Sequence, residues 1–202
     1  MPLHDNAKNA MLDQLDTIAT HASIHTAYSA TGTNESTGGS PAYARQTIAF
    51  DASAAGSMTI TGTEVFDIPA STVEYIGLWS AVTAGTFYGM FPLGGAVANP
   101  PSYCIARNTG DLIESEAHGL VNTDRVALFG AALAAGLTEG TVYFVVGATT
   151  DTFQVSLTSG GAAVAITADS INQQWQKCVP ETFGAQGTLT ISDMDISLNL
   201  VT

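Results

Sequence analysis

The stretch Gly187–Thr202, GTLTISDMDISLNLVT, decides how this chain is organised. Leu189 and Ile191 alternate with threonines, and Ile196, Leu198 and Leu200 alternate with polar residues. That period of two reads as two half-buried strands. Their apolar faces need cover, and no unpaired strand lies just upstream. The cover is expected from the far end of the sequence.

Working back to the start, Asp5–Thr20, DNAKNAMLDQLDTIAT, is the one good helix pattern. Ala7, Met11, Leu15 and Ile18 recur at spacings of three and four and form an apolar stripe. Asp5 is placed to cap it, and Lys8, Asn9, Asp13 and Asp16 fall on the other face. Strand-like sequence follows: HASIHTAYS from His21, YARQTIAFD from Tyr43, Thr59–Thr61 and Val65–Ile68. A hairpin spans Val73–Phe91, with Tyr75 and Trp79 on one face and TAG as the turn. This first sheet lacks closing strands.

A second series begins at Gly110. DLIESEAHGL, DRVALFG, TVYFVVG, DTFQVSLT and AAVAIT read as about five strands between turn residues, ending near Trp175. The economical architecture is mainly β: an N-terminal helix plus antiparallel β-sandwich, with a small β-barrel-like module inserted into it. Residues 1–103 plus 179–202 form the first, discontinuous domain, and 104–178 form the insert. Insertion works where the two ends of a loop are close. The two cysteines, Cys104 and Cys178, flank the block. They are expected to face each other at its neck, with Cα atoms within about 7 Å, as a disulfide or a reduced pair according to compartment.

Composition narrows the partners. The chain is 46% hydrophobic and only 11% charged, with a net charge of -13, where roughly a quarter charged is usual. A phosphate backbone is repelled, which argues against nucleic acid. No basic cluster suits anionic lipid and no apolar run has membrane-spanning length, so no membrane insertion is expected. The N-terminus lacks the pattern of a signal peptide, so assembly in the cytoplasm is expected.

The motifs NAMLDQL, ASIHTAYSATGTNESTGGSPAYARQTIAF, VFDIPASTVEYIGLWSAVTAGTFYG and GTLTISDMDISLNLV resemble a group of small tailed-bacteriophage virion proteins of tail-fibre or minor-tail type. The block from Asp111 to Thr167, with its His-Gly-Leu, GTVYFVV and TFQVSLT, resembles a small β-module that recurs in phage fibres. The resemblance implies a non-catalytic structural protein of the virion, assembled in the host bacterial cytoplasm. Its implied partners are other virion proteins and copies of itself. It brings no catalytic residue and no cofactor.

The chemistry-bearing residues are sparse. His21 and His25 would share one strand face about 13 Å apart, too far for one metal. His118 reads as a turn histidine bonded to backbone. Asp193 and Asp195 read as a solvated strand face. Tyr75, Trp79 and Tyr88 of the hairpin, with Trp175, are candidates for an exposed aromatic surface that would bind a host glycan; otherwise they fill cores. A tail-associated component is the expectation. A capsid decoration protein and a glycan-binding host-attachment module are the alternatives, and a depolymerase lacks its acid pair or triad.

Overall fold

The structure is a computed structural model and describes residues 3–94 and 101–198. Leu200 of the closing stretch therefore lies outside the described residues. The protein is mainly β with an N-terminal helix, antiparallel sheets and a closed six-stranded barrel. In chain order the elements are α1 (Asp5–Ile18), β1 (His21–His25), β2 (Gln46–Thr47), β3 (Ser57–Thr59), β4 (Glu64–Ile68), β5 (Ser71–Val73), β6 (Tyr75–Trp79) and β7 (Phe87–Pro92). Then come β8 (Ser102–Arg107), β9 (Leu112–Glu114), β10 (Arg125–Phe129), β11 (Val142–Val146), β12 (Thr152–Ser156) and β13 (Ser170–Lys177). The last are β14 (Glu181–Phe183), β15 (Gly187–Ile191) and β16 (Asp195–Ser197).

Two compact units result. One takes the described residues up to Phe91 together with those from Pro180 onward; the other runs from Pro92 to Val179. In the first unit, β2, β1, β6 and β7 form a four-stranded sheet in that order. The closing segment then retraces earlier strands in reverse, β14 against β5, β15 against β4 and β16 against β3. Leu189 sits opposite Phe66, and Ile196 opposite Met58, all four buried. The apolar faces that had no neighbour in the sequence are covered in this way.

Helix α1 differs from its apolar stripe. Leu12 is the residue it buries, while Met11 is exposed. The reason lies in the polar residues beside Leu12. Asn9 Oδ1 accepts the Gly56 N–H at 2.8 Å, Asp13 Oδ1 accepts the Ser53 hydroxyl at 2.6 Å, and Asp16 Oδ1 accepts the Phe50 N–H at 3.0 Å. Short carboxylate and amide side chains satisfy loop backbone that would otherwise be orphaned, and this turns the helix. The N-cap is His4, whose Nδ1 accepts from Asn6 N, and Asp5 occupies the first turn.

The second unit closes completely, in the order β10-β11-β12-β9-β8-β13 with β13 returning to β10, every pair antiparallel. Alternate residues point inward. Val126 and Leu128, Tyr143 and Val145, Phe153 and Val155 fill the interior with Trp175. The barrel includes residues ahead of Cys104, because β8 is one of its staves. AAVAIT, expected as a strand, is not one: Val164 N bonds Val155 O, then Ile166 N turns to Asp111 Oδ1 and the isoleucine side chain enters the core. The stave that completes the barrel is instead β13.

Candidate functional site

The most concentrated polar chemistry lies in the first unit. Pairing of β1 with β6 sets His21, Ser23 and His25 opposite Trp79, Gly77 and Tyr75. Strand alternation puts Ala22 and Ile24, with Ile76 and Leu78, on the other face. So the sheet's two central strands are apolar on one side and carry a buried polar network on the other.

Ser23 is its centre. The Trp79 Nε1–H donates to Ser23 Oγ at 2.8 Å, and Ser23 Oγ lies 2.6 Å from His25 Nε2. His25 Nδ1 lies 2.9 Å from the Thr33 carbonyl. A carbonyl only accepts, so Nδ1 carries the proton and Nε2 accepts from the serine hydroxyl. The ring is thus neutral with both nitrogens satisfied. Burial holds its pKa below the ordinary 6.5, against opposing contributions from the Thr33 bond and Glu35. Gly77 is the only residue type that fits opposite, since a Cβ there would lie 2.7 Å from both His25 Nε2 and Ser23 Oγ.

Around this centre runs a second layer. The Arg45 guanidinium carbon lies 3.5 Å from the centroid of the Trp79 ring, a cation–π contact. Its Nε and Nη2 grip Glu35 in a bidentate pair at 2.9 and 2.7 Å, and Nη1 donates to the carbonyls of Ala81 and Ala84. The Tyr43 hydroxyl donates to Glu35 Oε1 and accepts the Ile24 N–H; burial pushes its pKa upward. The loop that carries Glu35, Tyr43 and Arg45 is thereby fastened to the sheet and to the β6–β7 turn.

A serine 2.6 Å from a histidine nitrogen is the pairing used by nucleophilic enzymes. Here Ser23 and His25 are both 0% exposed, and Ser23 already accepts from Trp79. No substrate atom reaches them. As folded, the network holds the Trp79 ring and the Thr33 loop in place.

The aromatic surface expected of Tyr75, Trp79, Tyr88 and Trp175 is not formed. Tyr75, Trp79 and Trp175 are buried, and only Tyr88, at 37% exposure, reaches solvent. The chain has few large residues, and each tryptophan fills the core of its own unit. Both do so by one device: the indole N–H finds a serine hydroxyl, Ser23 for Trp79 and Ser115 for Trp175 at 2.9 Å. Each ring also packs on a phenylalanine, Phe87 and Phe153 respectively.

The neck pairing of Cys104 and Cys178 is also corrected. Neither is in a disulfide, and both are buried. Cys104 sits opposite Gln173, and Cys178 follows the end of β13, five residues beyond Gln173, about 16 Å at strand rise. Cys104 is part of the barrel's core cluster and Cys178 is not. Cys104 belongs to the interior, where desolvation pushes its thiol up to about 12; such a thiol is inert.

The remaining residues have structural roles. His118 Nδ1 accepts from Leu120 N at 2.9 Å and Nε2 faces the Thr152 carbonyl, so it is a turn histidine bonded to backbone. Asp195 accepts from Thr59, and Asp193 is exposed. Among the described residues no three His, Cys, Asp or Glu side chains gather as a metal cluster, and no helix is long and apolar enough to cross a membrane. Sequence reasoning missed the Ser23–His25 pair. Its signal was present in HASIH, where polar residues at every second position face the glycine of YIGLW. No family model, no curated protein and no solved structure matches the chain.

Proposed function

We propose that this chain is a non-catalytic structural protein of a bacteriophage particle, tail-associated, acting through contacts with other virion proteins and copies of itself. The observation that carries the reading is where the reactive groups go. Ser23, His25, Cys104, Trp79 and Trp175 are all enclosed and hold strands, loops and rings in place. What faces outward among the described residues includes open strand edges. The glycan-binding alternative calls for exposed aromatic rings, and the burial of Trp79 and Trp175 favours scaffolding over it.

The test is quantitative mass spectrometry of purified particles, with heads and tails separated. Tens of copies or fewer, co-purifying with tails, is the expected result. Hundreds of copies with heads would move the protein to capsid decoration. Absence from particles would end the structural reading.

A further inference from the structure

Strand β7 ends the four-stranded sheet and has only β6 beside it among the described residues. The opposite edge, β2, is two residues long, whereas β7 has six. An edge presents a row of open N–H and C=O groups, which chains commonly guard with charged side chains. β7, FYGMFP, has no charged guard, and proline, the other common guard, stands only at its last position, Pro92. From Tyr75 to Ala106 the chain carries no Asp, Glu, Lys, Arg or His at all, in a protein of net charge -13. Tyr88 stands out from this strand, and Val82 at the tip of the same hairpin is 49% exposed. In the smaller ladders the uncharged β3 and β5 are only three residues long, and the other strands differ in side chains. Glu64 and Asp67 mark β4, Glu181 marks β14 and Asp195 marks β16; β15 is uncharged but turns Thr188 and Thr190 outward.

We propose that β7 is where a second copy of this chain pairs, antiparallel and about a two-fold axis, joining two four-stranded sheets into one. Charge selects the occupant. Each copy carries -13, so two copies meet most readily where neither brings a carboxylate. A cationic partner would be drawn instead to the strands bearing Glu64, Asp67 and Asp195. Pairing centred on Gly89 sets Phe87 opposite Phe91 and Tyr88 opposite Met90, cross-strand pairs of the stabilising kind. A single edge used isologously closes at two copies. This inference rests on the assembly reading above and names the partner in it.

Sedimentation of the full chain over a wide concentration range tests it. The expected species has about twice the 20.8 kDa mass of the chain, and added salt tightens it by screening the like charges. Tyr88→Glu raises the dissociation constant at least about tenfold, as loss of an aromatic anchor does. Tyr88→Ser, which removes the ring without adding charge, acts in the same direction. Thr188→Glu on β15 leaves association unchanged. Amide exchange across residues 87–91 slows in the concentrated protein relative to the dilute one. A chain that stays monomeric throughout, a closed assembly larger than two, association weakened by salt, or a folded Tyr88→Glu variant associating like the parent overturns the proposal. Presence in particles with a monomeric purified chain refutes the edge pairing alone; a dimer absent from particles refutes the particle reading alone.

Discussion

Replacing Ser23 with alanine removes one atom and orphans two. The Trp79 indole N–H loses its acceptor and His25 Nε2 loses its donor, in a site where Ser23 and His25 are 0% exposed. An unsatisfied buried polar group costs about 1–3 kcal/mol, so the substitution destabilises the first unit by about 2–6 kcal/mol. The lost oxygen leaves too small a void for a water to restore both bonds. Each unit holds one tryptophan, so the two can be followed separately. In a Trp175→Phe background, urea unfolding followed by Trp79 emission reports the first unit alone. The midpoint should fall with the slope unchanged. A loss below about 1 kcal/mol would refute the argument that Ser23 holds the network.

Three further outcomes follow from the same geometry. Ser115→Ala orphans only the Trp175 N–H, so the barrel should lose about 1–3 kcal/mol, read from Trp175 emission in a Trp79→Phe background. For pH, His25 in the folded protein titrates below its unfolded value of 6.5, so the unfolded chain takes up the proton first. Stability therefore declines as pH falls from about 6.5 toward the folded value, with a slope of at most about 1.4 kcal/mol per pH unit; His25→Gln should flatten this part of a urea-midpoint profile between pH 7 and about 5. Both thiols should resist a maleimide in the native protein and react fully in urea without reductant, since both are buried and neither is bridged; failure to label in urea would restore the disulfide.

Strands were legible where side chains alternate in polarity. Phe153 and Val155 against Gln154 is such a case, and it places β12 at Thr152–Ser156. β13 was not, because its inward row includes Gln173. That amide is 0% exposed and accepts the Ala134 N–H while donating to the Ser170 carbonyl. A glutamine that satisfies backbone from inside a barrel looks like a surface residue in sequence. The same blindness misread α1, where Asn9, Asp13 and Asp16 hold a loop. It also misread YARQTIAFD, most of which is a loop fastened through Tyr43 and Arg45. The aromatic and cysteine expectations failed for another reason. The order of residues shows which segments carry Trp79, Trp175, Cys104 and Cys178, but what each side chain faces depends on register, which only the paired strands supply.

The reversed pairing of β14, β15 and β16 with β5, β4 and β3 has a consequence for the order of events on the way to the native state. These ladders join residues on either side of the whole second unit, so bringing them together in an open chain means closing a very long loop. The barrel removes that obstacle. Its β8 and β13 staves run side by side, and Val179 N bonds the Leu93 carbonyl. Once closed, it therefore holds the chain's outgoing and returning strands together, much as a tight turn does in a hairpin. Closing 179 − 93 = 86 residues costs roughly 4 kcal/mol by (3/2)RT ln n, and a barrel that has already formed has met that cost. A ribosome also delivers the barrel before it delivers Glu181–Ser197. The barrel is then a folding device for its host unit, and variants that slow its closure should delay the sheet that surrounds Ser23 as well.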